Sequence, residues 1–219
     1  MNKASLITAA ATLSLTGAAM ADFTGFTGVV DTYDDGLGGT WTTIDVYANF
    51  SSDDFQLLNV YDASVTSSDG QGFHHNDLSD ATGGSWKPSF SFSIPGAYDP
   101  MRDSYVTIGY GVGAAAALNQ TALDPNFDPS NTKFVPEDAG WFNLSPPEAQ
   151  YAVNGEVHVG HFVMAADRGA DFTIDAEIGY KEGGDGVTLF DGGSFTTVPS
   201  PGALALLGIS ALIARRRRA

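Results

Sequence analysis

The chain has 219 residues, no cysteine, and 26 acidic against ten basic side chains, for a formal charge of −16. That balance excludes electrostatic binding to nucleic acid or to an anionic membrane surface, both of which need a basic face. Without cysteine there is no disulfide framework, no lipid-modified cysteine and no thiolate chemistry, so the fold must hold by packing alone or by packing with bound ions.

At the N-terminus Lys3 precedes an apolar run over residues 4–18, and Ala19-Met20-Ala21 supplies the small-x-small pattern that a signal peptidase cuts. Residues 1–21 are therefore expected to be a signal peptide, with Ala19 and Ala21 as the small residues of the cleavage site, a cut after Ala21 and a mature chain beginning at Asp22. Residues 22–197 are expected to form one domain, long enough to bury a core without staples. All 26 acids lie in this stretch, opposed by only Lys87, Arg102, Lys133, Arg168 and Lys181. Asp outnumbers Glu by 21 to 5, and Asp with Gly and Asn is the vocabulary of turns and calcium loops rather than of solvated helices.

Alternation with β-branched and aromatic residues predicts strands over residues 23–30, 41–50, 55–66, 89–94, 104–112, 156–165, 171–180 and 186–190. Turn clusters separate them: Asp34-Asp35-Gly36, Asp69-Gly70, Gly83-Gly84, Gly183-Gly184 and Gly192-Gly193. In residues 41–50 Ile44, Val46, Ala48 and Phe50 share one face and Asp45, Tyr47 and Asn49 the other, as in a half-buried antiparallel strand. Residues 119–151, rich in Pro, Asn and Asp, read as a long ordered excursion with at most a helical turn near 137–140 or 147–151. The predicted class is all-β, an antiparallel, jelly-roll-like β-sandwich.

Asp124, Asn126 and Asp128 place oxygens at i, i+2 and i+4 in a loop, a spacing by which backbone can surround Ca²⁺, although Pro125 and Pro129 suit a plain rigid turn equally well. Asp31, Asp34 and Asp35 form a second oxygen-rich loop, and Asp53 with Asp54 a third. The run His74-His75-Asn76-Asp77 in a polar loop could ligate a transition metal through imidazole and carboxylate, but with no third ligand nearby it reads as a solvated pair. His158 and His161, three apart, fall on opposite faces of a regular strand and so should not share a site. Trp86 and Trp141, outside strong strand patterns, are candidate platforms for stacking on sugar faces, against the commoner fate of burial over the sandwich ends. No nucleophile elbow, zinc-protease motif or phosphate loop is present, and with so many acids some carboxylate pair will stand at catalytic distance by chance, so no catalytic residues are expected.

The C-terminus carries the most specific signal. Val198-Pro199-Ser200-Pro201 is followed by an apolar stretch to Ala214 and then Arg215, Arg216, Arg217 and Arg218. As a helix, residues 201–214 would extend roughly 21 Å, short of the roughly 30 Å hydrocarbon core. The arginines would hold the far end on the cytoplasmic side and leave the body outside. This tripartite pattern over residues 198–219 resembles the PEP-CTERM sorting signal of Gram-negative bacteria, with Ser200 where the usual motif has Glu. The resemblance implies a processing partner, the membrane protease-transpeptidase called exosortase, and association with extracellular polymers. A permanent membrane anchor is the alternative, disfavoured by the short apolar stretch. The expectation is an exported envelope or matrix protein, structural or adhesive. A calcium-assisted carbohydrate-binding module and a polysaccharide-acting enzyme are its rivals, with extracellular polysaccharide as the expected partner and calcium as the candidate ion.

Overall fold

Alternation sorts the side chains into layers. The computed structural model describes residues 22–75, 86–88, 99–109, 121–127, 133–144, 150–183 and 186–197. Its strands are β1 (Phe23–Asp34), β2 (Thr40–Phe50), β3 (Phe55–Ser67), β4 (Tyr105–Val106), β5 (Thr121–Leu123), β6 (Ala139–Asn143), β7 (Glu156–Ala165), β8 (Phe172–Glu182) and β9 (Leu189–Thr196). They form two antiparallel sheets, in the orders β1-β2-β7-β4 and β5-β6-β3-β8-β9, packed as a β-sandwich.

On β2, Ile44, Val46, Ala48 and Phe50 point into the sandwich, and on β8 so do Phe172, Ile174, Ala176, Ile178 and Tyr180, while Asp175 and Glu177 face solvent. Phe162 of β7 meets Phe172 of β8 across the two layers with ring centroids 4.9 Å apart. Removing each such side chain from water contributes about 1.5–3 kcal/mol, enough to hold a fold with no covalent cross-link. In β3 the inward residues Leu57, Val60, Ala63 and Val65 are spaced by three, three and two, which a regular strand cannot place on one face. Register shifts between Leu57 and Asn59 and between Tyr61 and Ser64 restore the face, the second with Asp62 in the left-handed region at φ 51°.

Some expected boundaries differ. Residues 119–151 hold two strands, β5 and β6, and where a helical turn was expected at 137–140 there is a turn at 137–138 running straight into β6. Ala139, Gly140 and Trp141 are buried in succession, so both faces of β6 are covered there and no alternation marks it. Gly192-Gly193 is not a turn but the middle of β9, which begins only at Leu189. A Cβ at Gly28 of β1 would stand 2.4 Å from the Phe195 ring of β9, so the glycine there lets β1 and β9 meet along one side of the sandwich. The strand expected at 104–112 is described only at Tyr105–Val106, and that at 89–94 lies outside the described residues.

The outer side of the four-stranded sheet is where polar chemistry collects. Thr43 and Val163 face away from the core cluster yet are buried. Chain from two segments runs alongside: His74 N–H donates to the Val163 carbonyl (2.8 Å) and Ser104 N–H to the His74 carbonyl (3.1 Å). Tyr33 Oη to Asp99 (2.6 Å) and Arg102 Nη1 to Asp35 (3.2 Å) tie residues 99–102 to the β1–β2 hairpin.

Candidate functional site

Two places on this outer side gather functional side chains. In the first, Asp45 of β2 faces His158 and His161 of β7. The β2–β7 register passes from Val46↔Gly160 to Tyr47↔His158, leaving Val159 as one extra residue, a β-bulge. The bulge flips the parity of the strand, so the two histidines share a face and the expectation of opposite faces does not hold. His161 Nδ1 donates to Asp45 Oδ1 at 2.8 Å, and His158 Nε2 lies 3.1 Å from the same oxygen without hydrogen-bond geometry. Tyr105 stacks on His161 with centroids 5.3 Å apart and rings inclined by 21°. Burial works to raise the Asp45 carboxyl, but the close approach of His158, the bond from His161 and the charges of both rings outweigh it and hold the group well below the usual carboxylate range. A cleft of about 220 Å³ beside His158 is lined by Tyr47, Tyr151 and Glu156 among others. His161 spends Nδ1 on Asp45 and His158 only approaches the same oxygen, and among the described residues no three His, Cys, Asp or Glu side chains are set to hold a metal ion.

The second place is a pocket of about 370 Å³ where β2 begins and β7 ends, at the pair Trp41↔Ala165. Trp41 is half-buried and locked: its Nε1 donates to Asp35 Oδ2 (3.1 Å), the Arg102 guanidinium lies over its ring at 5.7 Å, and the His74 ring meets it edge-on at 4.5 Å. Asp35 is itself fixed by the Leu37 and Gly39 amides, and its bond from Trp41, then those amides, hold its carboxyl below the ordinary value. Gln71, His74, Lys133 and Arg168 complete the polar lining. Arg168 is clamped by Asp69, Ser67 and the Gly72 carbonyl, and its guanidinium holds the Asp69 carboxyl well below the carboxylate range. Burial pushes the His74 ring down, with a bond from Nδ1 to the Arg102 carbonyl opposing it, so near pH 7 the ring is neutral with its proton on Nδ1.

Comparison with protein-family models, with curated proteins and with solved structures finds no match. What the chain does has to be argued from its own residues.

Of the residues singled out in the sequence, Trp86 and Trp141 are 2% and 1% exposed, so neither offers an open indole face. Trp86 stacks on His75 at 4.8 Å, and Trp141 bridges the two sheets by donating from Nε1 to the Thr107 carbonyl at 3.0 Å. A side chain of this area is worth more as packing between layers than as a surface. The roles are reversed: half-buried Trp41 on β2 lines a pocket, whereas Trp86 and Trp141 are enclosed. His74 and His75 are not a solvated pair either, since His75 is enclosed with its Nδ1 2.7 Å from Asp103 Oδ1; Asn76 and Asp77 lie outside the described residues. Asp124 Oδ1 accepts from the Asn126 amide at 2.6 Å, the work of a turn, and Asp128 lies outside the described residues. Asp34 and Asp53 likewise accept backbone amides, from Gly36 and Gly155. Asp22 is described, its carbonyl accepting from Ser51 N–H at 2.9 Å. Ala19, Ala21, Val198, Pro199, Ser200, Pro201 and the four terminal arginines lie outside the described residues, and within those residues no helix is long and apolar enough to cross a membrane.

The histidine cluster had a signal in the sequence. The core-facing positions of β7 run Val157 and Val159, then Phe162 and Met164, an odd-to-even switch that the inserted residue explains and that the apolar Val163 between them blurs in the sequence.

Proposed function

We propose that the chain is an exported protein of the cell envelope or extracellular matrix, structural or adhesive in role, delivered through an exosortase-like sorting step. The observation that carries this reading is the layout of the chain. A lysine, an apolar run and Ala19-Met20-Ala21 stand at one end; Val198 to Pro201, an apolar stretch and Arg215 to Arg218 stand at the other. Every described strand falls between them, from Phe23 to Thr196. A body whose layers close without either end is what a pathway that removes or anchors both ends requires. Mass spectrometry of protein from the producing cells tests it: the mature N-terminus is expected at Asp22, and changing the four terminal arginines to Gln should leave a larger, unprocessed precursor. Intact residues 1–21 in the envelope fraction, or normal maturation without those charges, refutes the reading.

The carbohydrate-binding module stays as a second reading because one specific observation favours it, the fixed indole of Trp41 at the mouth of a pocket of ligand size. Its test is retention of the protein on matrix polysaccharide, lost on Trp41→Ala.

A further inference from the structure

We infer that the outer face of the five-stranded sheet binds an uncharged polysaccharide, a chain of neutral sugars laid over the rings of Phe142, Tyr61 and Phe190; the inference rests on the adhesive reading and names the ligand class of that role. The strand register gathers these rings. Asn59 of β3 pairs with Phe142 of β6 on one side and with Gly179 of β8 on the other, and Gly179 pairs with Phe190 of β9, so the four residues form one row across four strands. The next row, with Trp141, Val60 and Ile178, belongs to the core, so this one faces out. At about 4.8 Å per strand its ends stand about 14 Å apart, the length of a short run of sugars rather than of one. Phe142 is 40% and Phe190 66% exposed, whereas the other outward side chains of β8 are Thr173, Asp175, Glu177 and Lys181. Two Phe rings at the ends of one row are not what a face that meets only water carries.

The parts divide the work. A Cβ at Gly179 would run into the Asn59 amide oxygen and stand 3.4 Å from the Phe190 ring, so the glycine keeps the row low between its two Phe ends. Tyr61 meets Phe190 with centroids 6.3 Å apart and rings inclined by 86°, a corner in which a sugar rests on the face of one ring and against the edge of the other. Glu177, exposed and paired with Tyr61 across the strands, bonds the Tyr61 hydroxyl and keeps lone pairs for sugar hydroxyls. The Asn59 side-chain oxygen has no hydrogen-bond partner among the described residues, so turning that amide toward a sugar breaks no existing bond of the oxygen. Charge decides among partners. With 26 acids against five bases in the body, and Asp175 and Glu177 on this face, a second copy of the chain or an acidic polymer would bring like charge against it. A neutral sugar brings hydroxyl donors for the carboxylates and apolar ring faces for the aromatics.

Calorimetry on the full chain in non-ionic detergent tests the inference, with cellohexaose, a neutral β-1,4-linked chain, and the same chain oxidised to glucuronate in every ring, because the two probes share linkages and differ in charge. Cellohexaose should bind, and the glucuronate chain about tenfold more weakly or not at all. Phe190→Ala and Phe142→Ala should each lower affinity for cellohexaose about tenfold, with melting temperatures near the parent's because both rings are exposed, and Phe190→Tyr should keep the affinity. Trp41→Ala, on the opposite side of the sandwich, should leave this binding unchanged. Cellohexaose binding that survives both Phe→Ala changes overturns the face as its site, and equal affinity for the two probes overturns the assignment to uncharged sugar. Binding of neither overturns the inference outright, and a dimer in sedimentation that Phe190→Ala dissociates would give the face to a second copy instead. Retention on whole matrix polysaccharide, measured alongside, shows whether the adhesive reading falls with it.

Discussion

Replacing Asp45 by Asn keeps the shape of the side chain and removes the charge on which two imidazoles converge. A hydrogen bond to a charged group is worth about 1.5–3 kcal/mol, and only the bond from His161, at 2.8 Å, is well formed. The amide oxygen of Asn can still accept weakly, so the expected loss is about 2 kcal/mol, or about 4–8 °C in melting temperature for a chain of this size. The sign of the pH dependence follows from the lowered carboxyl. At pH 7 Asp45 is ionised in both folded and unfolded chains and its contribution is complete. Below the ordinary carboxylate value of about 4, the unfolded chain takes up the proton before the folded one, and the contribution drains away as pH falls toward the folded value. Thermal melts of both proteins by circular dichroism at pH 7, 5 and 3 should show a gap that is full at pH 7 and narrows between pH 5 and 3. Equal melting temperatures at pH 7, or a gap that does not narrow in acid, would refute the account of the bulge as the device that brings these three groups together.

Phe172→Ala should cost about 3–5 kcal/mol, since this ring is fully buried between Phe73 and Phe162; urea denaturation should show a lower midpoint with the slope retained. Gly160→Ala would put a Cβ 2.7 Å from the Phe162 ring and 3.3 Å from the Tyr105 carbonyl, so about 1–3 kcal/mol should be lost and the near-ultraviolet dichroism of the tyrosines altered. Calcium and magnesium at equal ionic strength should raise the melting temperature equally, because Asp124 already serves its own turn; a rise specific to calcium and abolished by Asp128→Ala would reinstate the loop as an ion site.

The layers of the sandwich were legible because β2 and β8 alternate strictly, Ile44 to Phe50 and Phe172 to Tyr180, and each hydrophobic residue has one face to occupy. β6 was not, since it is short and buried on both faces from Ala139 to Trp141, which leaves no alternation to read. The glycines at 192 and 193 read as a turn because a glycine pair is a local turn signal, whereas their place in the middle of β9 is set by pairing with Ala176 and Glu177 of β8. For the site, the same limit applied to His158 and His161: spacing was counted along an ideal strand, and the one-residue insertion at Val159 reversed the answer. Trp41 was hidden in a good strand pattern, whereas its place beside Lys133 and Arg168 depends on contacts from residues about 90 and 130 positions away, beyond any local rule.

The clamp of Arg168 on Asp69 closes a loop of 99 residues, and Gly155 on Asp53 one of 102, in a chain that has no cysteine to bridge such distances covalently. Here the closures are ionic or hydrogen-bonded, and they form as soon as the strands dock. Such a chain needs neither an oxidant nor an isomerase to finish folding, and no reductant in its surroundings can open it. The exposure is to acid instead: protonating Asp69 releases the clamp, so the vulnerability of the fold is to pH where a disulfide-closed sandwich would be vulnerable to redox potential.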